Sequence, residues 1–174
     1  SFIKGHVAWG KRSVDAEKTS QYRLGLSSQY MLSLAERSQY IARLSGKTFI
    51  SDALYTHELF RLGGILSLRG FSDNQLLTDR YLLLNQEYRY LLSPDSYVLG
   101  LIDNALLHDD FWGNQWLLGV GAGLGIRTAG GMLQLQYVSM PWLQREDRKY
   151  SNKSPQKGWM YKRWSLSLVK VLWS

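Results

Sequence analysis

The sequence predicts an all-β fold: an antiparallel, up-and-down transmembrane β-barrel of eight strands, with a long loop between strands three and four, in one domain spanning residues 1–174. Three observations carry that prediction. Apolar and polar residues alternate with a period of two along most of the chain, the pattern of a strand with two unlike faces. The alternating segments run on the order of 10 to 14 residues, whereas soluble strands average about 5 to 6 and a tilted membrane-crossing strand needs about 9 to 11. Their number is even, so an antiparallel array can close without leaving an edge.

The first strand is predicted at 2–11, with Ile3, Val7 and Trp9 on one parity and Lys4 and His6 on the other. Residues 12–20 read as a polar loop. The second strand, 21–34, sets Tyr22, Leu24, Leu26, Tyr30, Leu32 and Leu34 against Arg23, Gly25, Ser27, Gln29 and Ser33. After a turn at 35–38, the third, 39–50, opposes Tyr40, Ala42 and Leu44 to Arg43, Ser45 and Lys47. Residues 51–78 hold no sustained period, and a connection that long in a compact domain is usually functional or disordered.

The fourth strand, 79–92, places Leu82, Leu84, Tyr88 and Tyr90 opposite Asn85, Glu87 and Arg89. Pro94 and Asp95 centre a tight turn. The fifth, 97–108, is apolar on both parities, which leaves the facing of Asp103 open. The sixth, 115–128, carries Trp116, Leu118, Val120, Ala122, Leu124 and Ile126 on even positions. Its odd positions form a glycine ladder, Gly119, Gly121, Gly123 and Gly125, ending in Arg127. A turn at 129–131 leads to the seventh, 132–140, where Leu133, Leu135 and Tyr137 alternate with Gln134, Gln136 and Val138. A charged loop at 144–158 precedes the eighth strand, 160–173.

Hydrophobic residues make up 45% of the chain, yet its mean hydropathy is −0.25. Strands that interleave lipid-facing and lumen-facing residues hide their apolar character from such averages. No run of about 18 apolar residues occurs, so no transmembrane helix is expected. Trp9, Tyr22, Tyr90, Trp116, Trp142 and Trp164 fall near strand ends, as interfacial girdles do. The absence of cysteine excludes a disulfide framework and thiolate metal sites. A formal net charge of +7 reads either as a solvated surface with spare lysines or as attraction to anionic partners, outer-membrane lipid and lipopolysaccharide. Nucleic acid is not expected, because no zinc-finger, RNP or basic-helix pattern occurs. His6, His57 and His108 lie in separate segments, and no HExxH, GxSxG or P-loop motif is found. No catalytic residue, cofactor or metal site is therefore expected.

If the apolar parities face lipid, Arg23, Arg43, Asn85, Glu87, Arg89, Arg127, Gln134 and Gln136 face the lumen. Charges in a small enclosed space must pair, since an unpaired buried charge is expensive. Arg69, alone in the run Leu68-Arg69-Gly70-Phe71, fits between Glu87 and Asp103. Two readings stand: an ordinary lumenal salt-bridge network, or an inserted loop whose arginine is clamped by those carboxylates. The glycine ladder bears on the second. Four glycines strip one wall of side chains, and glycine within a strand often marks close approach by another backbone. The loop before the fourth strand is the nearest visitor.

Leu62-Gly63-Gly64, a short spacer and Leu68-Arg69-Gly70-Phe71 together resemble the signature of the BamA/TamA-type outer-membrane assembly superfamily. The segments Asn85-Gln86-Glu87-Tyr88-Arg89, Leu101-Ile102-Asp103-Asn104-Ala105, the run 121–127 and the run 131–137 resemble its successive strands in the same order. Leu101 and Ala105 stand where the family has Phe and Gly, and the chain ends Leu172-Trp173-Ser174 where the family ends on an aromatic. The resemblance implies that Arg69, Gly70 and Phe71 form a loop tip folded into the barrel and paired with Asp103, with Glu87 alongside. It implies a bacterial outer-membrane location and a role in assembling or translocating outer-membrane or surface proteins, which would be its substrates. It also implies a weak seam between the first strand, beginning at Phe2, and the last, ending at Trp173. Family barrels have sixteen strands; this chain resembles the last eight, with no POTRA repeats ahead of Phe2. A self-contained small barrel, part of a larger one and a homodimer completing one pore all remain open. Two other functions fit the residues: a structural or lipid-binding barrel without insertase activity, and the membrane anchor of a larger passenger.

Overall fold

A computed structural model describes residues 1–14, 17–51, 55–109 and 113–145. The described chain is all-β and antiparallel. Seven long strands form one sheet: β1 (Phe2–Val14), β2 (Glu17–Ala35), β3 (Ser38–Ser51), β6 (Arg80–Ser93), β7 (Ser96–Asp109), β8 (Gly113–Thr128) and β9 (Gly131–Arg145). Their order is a meander in which each strand pairs with the next, except that β3 pairs directly with β6. Between those two lie a short 3-10 turn at Thr56–Glu58 and a separate two-stranded ribbon, β4 (Phe60–Leu62) and β5 (Leu76–Thr78). No helix among the described residues is long and apolar enough to cross a membrane. The expected eighth strand, with Trp164 and Trp173, lies outside the described residues, so the sheet here has seven strands and pairing between Phe2 and Trp173 is not in view.

Several strands outrun their apolar pattern. The first hairpin continues through the segment expected to be a polar loop, with Lys11 paired to Ser20 and Val14 to Glu17. A backbone ladder needs only N–H and C=O partners, so pairing persists where side-chain alternation fades. β9 likewise passes Pro141, where a strand would be expected to stop. The register shifts there, from Leu118–Trp142 to Val120–Ser139, leaving Pro141 in a bulge where no ladder donor is required. The ribbon β4–β5 went unpredicted because three-residue strands are too short to show a period.

The register sorts every long strand into the same two faces. One face exposes Ile3, Val7 and Trp9 of β1, Tyr22, Leu24, Leu26, Tyr30, Leu32 and Leu34 of β2, Leu82, Tyr88 and Tyr90 of β6, and Val98, Ile102 and Leu106 of β7. Among the few polar residues on it, Gln86 accepts a 2.6 Å hydrogen bond from the Tyr40 hydroxyl. The opposite face holds the core. Leu83, Ala105, Leu107 and Leu117 pack there against Leu62 and Leu68 of the 52–79 connection, with Phe71, Leu76 and Tyr81 at the margin. Beside this cluster, Tyr97, Leu99, Leu101 and Val138 form a second one. The sheet is thus apolar on its open face, while its covered face combines two apolar clusters with buried charged groups, Arg69, Glu87 and Asp103.

Candidate functional site

The covering segment is built around glycine. Gly63 and Gly64 adopt φ of +119° and +88°, and Gly70 one of +94°, all in the region L side chains avoid. The chain reverses at Gly63-Gly64. Ser67 locks the bend, its hydroxyl donating to the Gly63 carbonyl at 2.7 Å and accepting from the Gly63 amide at 2.9 Å. The Gly64 amide donates to the Phe71 carbonyl at 3.0 Å, closing the tip. Asn85 of β6 donates to the Ser67 carbonyl at 2.9 Å and ties the tip to the wall.

The tip delivers Arg69. Asn85 stands directly opposite Asp103, Asp103 directly opposite Gly119, and Glu87 two residues further along β6 on the same face. Arg69 lies over this intersection and is 4% exposed. Its Nε and Nη2 donate to Oδ2 and Oδ1 of Asp103 at 2.8 and 2.5 Å, a two-pronged pairing, and its backbone amide donates to Oδ2 at 3.1 Å. Its Nη1 donates to Oε1 of Glu87 at 2.6 Å. Burial opposes the guanidinium's charge, but the hydrogen bonds and attraction of Asp103, then of Glu87, outweigh it and hold Arg69 above the usual arginine range.

Glu87 is shared among three cations. Its Oε2 accepts from Nε and Nη2 of Arg89 at 3.0 and 2.6 Å, and its Oε1 also accepts from Arg43 at 3.3 Å. Arg43 in turn donates to Gln29 at 3.2 Å, and the Arg89 guanidinium sits 4.9 Å from the centre of the Tyr97 ring. Fully buried Asp103 and nearly buried Glu87 are therefore satisfied, while the cluster keeps an excess of positive charge.

The glycine ladder plays a narrower part than its spacing predicts. Gly119 does meet the inserted tip: a Cβ there would lie 3.4 Å from the Arg69 carbonyl oxygen and 3.7 Å from Asp103 Cβ. Gly121 and Gly123 make room instead for the β9 backbone, against the carbonyls of Tyr137 and Leu135, and Gly125 for the Tyr97 ring. One glycine receives the loop, two admit the neighbouring strand, and one seats the ring on which Arg89 rests. Sequence reasoning also missed the Ser67–Asn85 tie and the Tyr97 seat; the only local signal for them is their nearness to the Arg69 and Glu87 segments. Phe71 packs at the edge of the core. Among the described residues no group of three His, Asp or Glu side chains converges as metal ligands would.

Comparison with protein-family models, with curated proteins and with solved structures found no match to this chain.

Proposed function

We propose that this chain is an outer-membrane β-barrel whose inserted loop, latched by Arg69, serves the assembly or translocation of outer-membrane or surface proteins. The observation that carries the reading is a buried cation on a long loop, bonded to carboxylates on two adjacent strands, in a sheet whose other face is apolar and open. Burying an arginine this deeply is expensive unless it is paired, and the pairs made here tie the loop to two strands of the wall. The open face has the right height. From Tyr22 to Leu34 the rise along β2 is about 40 Å, which a tilt near 40° reduces to about 30 Å, the thickness of a bilayer's hydrocarbon core. In lipid a sheet needs every edge paired, so the reading requires an eighth strand, at 160–173, closing onto β1 as a weak seam that can open sideways.

The test is reconstitution. The chain should migrate as a heat-modifiable species in detergent, and liposomes containing it should fold a client outer-membrane barrel faster than empty liposomes do. The Arg69→Ala variant should lose that acceleration while still inserting. A compact monomer in buffer without amphiphile removes the membrane reading; client folding no faster than in empty liposomes leaves a static barrel or anchor.

A further inference from the structure

The polar face is not electrically uniform. On β6 and β7 its carboxylates are already taken by Arg69, Arg43 and Arg89. On β1 to β3 the same face presents Lys4, Arg23 and Lys47. Register draws them together: Lys4 stands opposite Ser27, which faces Ser45; His6 stands opposite Gly25, which faces Lys47; and Arg23 occupies the next row, opposite Phe49. None of the three cations meets a carboxylate among the described residues. Each lies instead over an aromatic ring: Lys4 Nζ 5.3 Å from the centre of Phe2, Arg23 Cζ 4.4 Å from Phe49, and Lys47 Nζ 5.7 Å from Phe60. Glu58, at the loop end, accepts from Gln21 and from the Tyr55 amide.

The ground between the cations is low and polar. Gly25 has no side chain, and the His6 imidazole lies across it so closely that a Cβ there would collide with the ring. His6 and the hydroxyls of Ser27 and Ser45 have no hydrogen-bond partner among the described residues. An exposed cation gains only about 0.5–1 kcal/mol from a ring face, less than a charge-assisted hydrogen bond to an oxyanion provides. Neighbouring strands lie about 4.8 Å apart and same-face rows along a strand about 7 Å apart, so the backbone positions of Arg23 and Lys47 are about 8 Å apart and that of Lys4 about 12–14 Å from them, spans that long flexible side chains can close onto one ion. Arg23 offers a planar fork, the lysines point charges, and the serines short donors.

We propose that this patch, Lys4, Arg23, Lys47, Ser27, Ser45 and His6, is a binding site for a phosphate group. It is separate from the Arg69 latch and does not require the sheet to close.

The experiment is a 31P titration of the full chain, refolded in uncharged detergent, with inorganic phosphate in one arm and a short-chain phosphatidic acid in the other. Inorganic phosphate should shift and saturate. Lys47→Gln and Arg23→Gln should each raise its Kd by roughly tenfold, the loss of about 1.4 kcal/mol. Arg61→Gln, which removes an exposed cation elsewhere, should leave it unchanged. Neither patch cation pairs with a carboxylate, so both variants should keep wild-type heat modifiability, and Ser27→Ala with Ser45→Ala provides a second, charge-neutral probe. Similar affinity in both arms assigns free phosphate; much tighter binding of the lipid assigns a headgroup. Absence of saturable binding in both arms, or an equal loss with Arg61→Gln, overturns the site.

Discussion

Replacing Arg69 with alanine tests the latch most directly. Asp103 would lose its Nε and Nη2 bonds, at 2.8 and 2.5 Å, and keep only the 3.1 Å bond from the backbone amide. Glu87 would lose one bond but keep both from Arg89 and the one from Arg43. The cost therefore concentrates on Asp103, which is fully buried and would have no other cation among the described residues. Removing one partner of a buried pair costs about 3–5 kcal/mol. At about 1.4 kcal/mol per tenfold, the detached loop should become more populated by roughly a hundred- to a few thousandfold. Trypsin cleavage after exposed Arg61 reports that population, because proteolysis follows the opening equilibrium when reclosing is fast. Asp103→Ala removes the same interaction from the other side. The double variant should be less destabilised than the sum of the singles, with a coupling of about 2–3 kcal/mol. Unchanged cleavage at Arg61 in Arg69→Ala, or strictly additive single costs, would refute the latch.

The glycine assignments separate cleanly by variant. Gly119→Leu should lift the tip and raise Arg61 cleavage, whereas Gly121→Leu should destabilise the fold by roughly 1–3 kcal/mol through overpacking against β9, read as a lower melting temperature, and leave the loop protected; loop release by Gly121→Leu alone would reverse this division. Gly63→Ala combines positive φ with a clash at the Ser72 carbonyl and should cost more than about 1 kcal/mol. Gly100→Ala, with nothing within 4 Å of its Cβ position, should melt like the wild type; equal losses at the two sites would argue against the tight turn at Gly63.

The alternation of residues was enough to place the seven long strands and to divide polar from apolar faces on most of them, whereas β7, apolar on both parities, takes its facing from register with its neighbours. Side-chain direction in a strand is a local property with a period of two, and Leu82, Leu84 and Tyr88 declare their face without reference to any other strand. The proximity of Arg69 to Asp103 and Glu87 was legible for a related reason: a lone arginine in an apolar run must find buried carboxylates or pay for its desolvation. The ends of the strands were not legible, since β1, β2 and β9 continue on backbone pairing that side chains do not advertise. Nor was the allotment of the glycines. Whether the missing Cβ at Gly119, Gly121 or Gly125 clears a loop, a strand or a ring depends on what registers across from it, and that partner is tens of residues away in sequence. The uncompensated cations Lys4, Arg23 and Lys47 are plain in the sequence as charges; only the fold decides that they share one wall while the carboxylates of that face are occupied elsewhere. Local periodicity sets which way each residue points, and the register between distant strands sets what it meets.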